Sequence, residues 1–486
     1  MKKKWSTLFY IIIVAGLGTV IYWIVQQGDS LQTPALTIKQ LEAEKAAANT
    51  NSFRVFTDSF SHHLAEPIAM LLMQIIVIIA CARLFGFLFK KIGQPAVVGE
   101  IVAGIILGPS IAGAFFPELT GFLFPVASLG TLQFLSQIGL ILFMFIIGME
   151  LDLKAIGRQA HGAVIISHAS IIIPYTLGMG LAYFIYNEYA PPGISFVSFA
   201  LFMGIAMSIT AFPVLARILQ EKGLTRSPLG ALALTCAAAD DLTAWCILAA
   251  VIALVKSGSS ISAIYTIGLA IVYVFAMLKL VRPFLERLSK VYDSKESKRT
   301  PIIALLFTML IVSSYLTTII GIHALFGAFM AGVIMPTSLD FRKIVIDKIE
   351  DISIILLLPL FFVITGLKTQ IGLLNEYHLW VTFGWILLVA VAGKFGGSAL
   401  AARMVGQSWK DSLSIGVLMN TRGLMQLIVL NIGYDLGILS PEIFAMMVLM
   451  ALVTTFMTGP ALDLINWLIP GKAEKRETTI MDSPEK

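Results

Sequence analysis

Apolar runs of about twenty residues, separated by short polar breaks, follow one another from Pro67 to Pro470. A run of that length suits an α-helix crossing the ~30 Å hydrocarbon core of a bilayer. The pattern predicts spans over 67–89, 95–114, 128–149, 161–186, 193–218, 228–254, 260–281, 300–320, 322–336, 351–371, 378–402, 411–433 and 440–469. A further apolar run, Leu8–Val25, follows the basic start Met1–Lys4. It is long for a signal-peptide core and lacks a small-residue cleavage site, so it reads as an N-terminal helix, 1–26. Residues 27–66 are polar and read as an extracytoplasmic linker, with 471–486 as a cytoplasmic tail.

Basic residues test this count. With the N-terminus inside, the inner loops carry Lys90 and Lys91, Lys154 and Arg158, Arg217 to Arg226, Arg282 to Arg299, Arg342 to Lys348, and Arg403 with Lys410. The short outer loops carry Lys256 and Lys368. A missed or invented span would reverse that alternation downstream, so the positive-inside pattern supports both termini being cytoplasmic.

Two spans are interrupted. Ser208-Ile-Thr-Ala-Phe-Pro213 breaks 193–218, because proline lacks an amide donor and disfavours helix just before it. Asn420-Thr-Arg-Gly423 breaks 411–433 with a charge and a glycine. Broken membrane helices are tolerated around a protein-lined site, and paired breaks in two halves point to inverted repeats. Each break falls in the fifth span of its half: repeats of about 67–254 and 300–470 flank a linker helix, 260–281, inside one transmembrane domain, 67–470.

Composition agrees with a polytopic all-α membrane protein. The chain is 58% hydrophobic and 13% charged, against about 25% charged in soluble domains. The net charge of +5 sits in loops and implies no nucleic acid. Cys81, Cys236 and Cys246 lie in apolar spans and have neither disulfide nor zinc spacing. No cofactor motif is present, and no nucleotide-binding domain follows Pro470.

Candidate chemistry lies deep. Asp240 and Asp241 stand about a dozen residues, or ~18 Å, into 228–254. Acids there are costly and read as functional. Neighbours on a helix point ~100° apart, so the two cannot face one partner. Lys394 lies too deep in 378–402 to snorkel, and a deep carboxylate is its natural partner. Two acids against one lysine leave a group free to take up either a proton or a small hard cation, the minimum for exchange. The competing reading is an ion pair that only fixes helix packing. Arg422 suits bonding to the carbonyls orphaned by a helix break, with gating as the alternative. Thr210, Ser208 and Asn420 offer oxygens near the breaks, against local backbone capping. Glu100 and Glu150 read equally as path-lining residues and as solvated helix ends. His168 and His323 read as hydrogen-bonded packing residues, and Gly104, Gly108, Gly327 and Gly332 as close helix contacts.

Three motifs, Ser208–Arg217, Ala239-Asp-Asp-Leu-Thr-Ala-Trp245 and Leu418–Gly433, resemble the monovalent cation:proton antiporter-2 family over roughly Pro67–Pro470. The pattern is similar to plant cation/proton exchangers and their bacterial counterparts. The resemblance implies thirteen core helices, a core and a dimerisation domain moving as an elevator, and two crossed, unwound helices. It implies that Asp241 is the essential ion-binding aspartate, that Asp240 is its switchable neighbour paired with Lys394, and that Arg422 stands where plant relatives carry lysine. Asp-Asp in place of Asn-Asp, and the short tail, depart from the plant pattern. The expectation is a secondary transporter and not an enzyme: a homodimer in a bacterial inner membrane, exchanging protons for Na⁺ or K⁺ electrogenically. A separate regulatory subunit is left open. A K⁺-selective efflux channel and an electroneutral K⁺/H⁺ exchanger are the alternatives. An intramembrane aspartyl protease also uses two membrane acids, but takes them from two different helices, and adjacent acids on one helix do not converge on one peptide carbonyl, which disfavours that reading.

Overall fold

The computed structural model describes residues 66–150, 160–224, 227–256, 260–294, 299–336 and 349–469, with isolated positions at 346 and among 15–64. The expected helix 1–26 and linker 27–66 lie largely outside the described residues, and the tail 471–486 lies wholly outside them. Met1–Ala69 clusters as one unit and Met70–Lys486 as another. In the first, Thr19 donates to the Gly16 carbonyl, and His63 pairs with Glu66.

Every regular element among the described residues is a helix, and those used below are numbered in chain order. In order they are α1 (Pro67–Lys91), α2 (Ala96–Leu107), α3 (Val126–Glu150), α4 (Ala160–Tyr189), α5 (Phe196–Ser208), α6 (Phe212–Glu221) and α7 (Pro228–Lys256). There follow α8 (Ser260–Ala276), α9 (Arg299–Ile320), α10 (Ala324–Val333), α11 (Leu358–Lys368), α12 (Tyr377–Val391), α13 (Gly397–Met404), α14 (Trp409–Met419), α15 (Leu424–Asp435) and α16 (Pro441–Leu468). A wider, π-helical turn, Ala392–Gly396, joins α12 to α13, and a second, Ser353–Leu357, leads into α11.

Among the described residues ten helices are long and apolar enough to cross a membrane, or eleven if α14 and α15, bent by 40°, count as one span. Thirteen spans were expected. The difference lies in α5 and α10, apolar helices of 13 and 10 residues. At ~1.5 Å per residue they reach ~20 Å and ~15 Å, short of a hydrocarbon core on their own.

The helices pack as two bundles. In the first, α2 lies on α11, α3 on α10 and α11, and α9 on α10. Ile78 and Ala82 of α1 join Ala103, Leu132 and Leu360 in its core. In the second, α4 lies on α5, α7 and α13, and α14 on α7, α13 and α16. The long helix α8 touches both α7 and α9. Backbone contact without side chains sets the spacing in the first bundle. Gly148 of α3 and Gly332 of α10 face one another, each where a Cβ would overlap the opposite chain's carbonyl. Gly104 of α2 and Gly366 of α11 repeat the arrangement. Such small-residue contacts are how membrane helices gain van der Waals area without a hydrophobic drive between them.

Between the bundles, Trp245 of α7 stacks on Phe329 of α10 at 6.2 Å. At the far end of α15, Asp435 accepts from Lys368 Nζ of α11 at 2.8 Å and from Gln133 Nε2 of α3 at 2.9 Å.

Candidate functional site

Two helix breaks meet in the second bundle. α5 stops at Ser208, Ile209 is extended (φ −75°, ψ 134°), and α6 starts at Phe212. α14 stops at Met419, and α15 starts after Gly423. The breaks touch: the Ala211 amide donates to the Thr421 carbonyl at 3.1 Å, and Thr210 Oγ1 to the Met419 carbonyl at 3.3 Å. Gly423 lies against Ala211 and Val214, with no room for a Cβ.

Each break leaves carbonyls without helical donors. Arg422 takes two of them. Its Nη1 donates to Ala206 O at 3.1 Å and its Nη2 to Met207 O at 2.7 Å, so a cation stands at the C-terminal end of α5, where the helix dipole favours one. Nη1 also bonds Gln426 Oε1 at 3.1 Å. Arg422 is wholly buried. In this conformation the guanidinium is spent on backbone carbonyls, the first of the two placements the sequence suggested.

Asp240, on α7, has four donors. Ser167 Oγ meets Oδ1 at 2.6 Å; Ser170 Oγ, Thr210 Oγ1 and Lys394 Nζ all reach Oδ2, the last two at 2.7 Å and 3.0 Å. Lys394 stands in the π-helical turn and bonds the carbonyls of Ser170, at 2.9 Å, and Ser208. Neither Asp240 nor Lys394 has any exposed side-chain surface. A buried ion pair is stable only when its remaining lone pairs and protons are also bonded, and here they are.

Asp241 differs. It is 1% exposed, and neither carboxylate oxygen has a hydrogen-bond partner. The Phe212 amide, at the start of α6, is within electrostatic reach but lacks the geometry of a bond. A buried carboxyl with every lone pair open can receive a proton or a cation, whereas Asp240 already accepts from four donors, one of them the Lys394 ammonium.

Of the residues singled out in the sequence, Asp240, Lys394, Thr210 and Ser208 converge on one point, and Asp241 lies beside it. Ser208 contributes its carbonyl, while its hydroxyl bonds Ile205 O in its own helix. Asn420 is buried next to the break. Glu100 is buried on α2 beside Gly86, outside this cluster, and the side chain of Glu150 is outside the described positions. His168 is exposed and bonds Val164 O; His323 accepts from the Leu325 amide at the start of α10. Ser167 and Ser170 were missed. Their signal was a spacing of three, which puts both on one face of α4.

Comparison with known proteins places these residues in context. The model of the family described as "Sodium/hydrogen exchanger, transmembrane" matches residues 76–466. The Na(+)/H(+) antiporter NhaS4 of Synechocystis sp. is 43% identical over 396 residues, covering 81% of this chain and 97% of that protein. The K(+)/H(+) antiporter 1 of Saccharomyces cerevisiae is 34% identical over 416 residues. That match covers 84% of this chain and 47% of the yeast protein. The structure of the sodium proton antiporter MjNhaP1 from Methanocaldococcus jannaschii superposes with a TM-score of 0.59 at 16% identity, covering 82% of this chain and 97% of that one.

Proposed function

Because the chain belongs to the sodium/hydrogen exchanger family, we propose that it is a secondary antiporter exchanging protons for Na⁺ or K⁺ across a membrane. The observation that carries this reading is the contrast between Asp241, buried and unpartnered, and Asp240, fully engaged with Lys394. Asp241 alternately holds a proton and a cation. Asp240 leaves Lys394 to help bind the cation and returns to it afterwards. The touching breaks supply the polar lining that lets irregular backbone lie at this depth, as expected of crossed helices from two inverted repeats.

In this reading the second bundle carries the site past the first, so the site opens to each face in turn. The protein works as a homodimer in a bacterial inner membrane, with both termini cytoplasmic. Two acids and one lysine favour electrogenic exchange, with more than one proton per cation.

The test is cation-driven proton efflux from proteoliposomes, titrated separately with Li⁺, Na⁺, K⁺ and Rb⁺ over pH. Wild-type protein should exchange, and Asp241→Asn should not. A channel would keep its cation flux in Asp241→Asn. Rates indifferent to an imposed membrane potential would favour the electroneutral K⁺/H⁺ exchanger instead.

A further inference from the structure

Lys394 is held partly by an atom that a regular helix would keep for itself. In an α-helix each carbonyl accepts from the amide four residues on. The Ser170 carbonyl of α4 would take the amide of residue 174, but Pro174, inside the helix, has none. That carbonyl accepts Lys394 Nζ instead, at 2.9 Å. The hydroxyl of the same serine reaches both Asp240 and Lys394, the latter at 3.2 Å. Pro174 also sets the approach of the opposite chain. A Cβ at Gly393 would come within 2.9 Å of Pro174 Cα, so the residue preceding Lys394 rests directly on the proline.

We propose that Pro174 is a positioning residue for Lys394. Its missing amide keeps the Ser170 carbonyl open as an acceptor for the ammonium, and so sets how firmly Lys394 competes with the transported cation for Asp240. This rests on the antiport reading above. The carbonyl bond exists only while Lys394 sits on Asp240. Removing it weakens that docked arrangement and leaves the released one untouched, so a cation displaces the lysine more easily.

Pro174→Ala supplies the amide that captures the Ser170 carbonyl. In proteoliposomes of the purified full chain, the apparent KM for the exchanged cation should fall at least about threefold, with the maximal rate within about twofold of wild type, a change in ground-state binding. A second variant separates the missing donor from the lost ring. Lactic acid introduced at 174 by nonsense suppression gives a backbone ester, with neither ring nor amide proton, and should keep the wild-type KM. An unchanged KM in Pro174→Ala overturns the proposal. So does an equal shift in both variants, or failure of both to fold, since the ring would then be what matters. Wild-type protein without cation-driven exchange would refute the antiport reading instead. The positioning role is then read from a structure of Pro174→Ala: the Ser170 carbonyl turned to the new amide supports it, and the carbonyl still on Lys394 refutes it.

Discussion

Asp240 and Asp241 are adjacent in sequence and opposite in surroundings. The ~100° between them was readable from helix geometry, as was the depth that denies Lys394 a route to water. Which acid takes the lysine was not, because the pitch fixes the angle between two side chains but not the rotation of the helix. The serines were hidden for another reason. A serine in an apolar helix ordinarily bonds the carbonyl of its own preceding turn, and Ser208 does so. Ser167 and Ser170 reach across to Asp240 instead. Removing one partner of a buried pair typically costs about 3–5 kcal/mol. Lys394→Ala should lose stability of that order in detergent unfolding. Adding Asp240→Asn should recover most of the loss, because its amide oxygen still accepts from the Ser170 and Thr210 hydroxyls while its NH2 donates to Ser167 Oγ. A double variant no more stable than Lys394→Ala would show that the two charges do not compensate each other.

At the scale of elements, both breaks were legible, because Pro213 and Asn420-Thr-Arg-Gly423 are local breakers. The contact of one break with the other was not, since it depends on how distant helices pack. The π-helical turn at Lys394 left no mark either: Ala392-Gly-Lys-Phe-Gly396 reads as ordinary helix with two weak formers. The glycine contacts were legible in kind, and their partners needed the fold. Gly148→Val should part α3 from α10, because its side chain would enter the space of the Phe329 carbonyl and the Val333 amide. Overpacking of this sort costs about 1–3 kcal/mol or more when backbone must move. A lower melting temperature and a smaller yield of folded protein from membranes are the expected readouts. Gly130, where a Cβ meets nothing within 4 Å, is the control: Gly130→Ala should melt close to wild type.

Across the whole molecule, the polar links between the bundles among the described residues include Asn431 with Thr365 and, at the end of α15, Asp435 with both Lys368 and Gln133. On the topology proposed above, with cytoplasmic termini, that clasp lies at the extracytoplasmic end. If the second bundle slides, the clasp must open in each cycle. With Cys81, Cys236 and Cys246 replaced by alanine, a short reducible bifunctional thiol reagent joining Gln133→Cys to Asp435→Cys should arrest exchange, and a reductant should restore it. Undiminished exchange in fully crosslinked protein would rule out relative motion of the bundles at that point. The unpartnered Asp241 has a consequence for folding as well. A buried polar group left without a bond typically costs about 1–3 kcal/mol. Selection for stability alone would have replaced this aspartate with an aliphatic residue. Asp241→Leu is therefore expected to melt above wild type while transporting nothing, and a lower melting temperature would mean that the carboxyl has a partner in the resting protein after all. The chain thus gives up part of its heat tolerance for a carboxyl at its centre that transport needs.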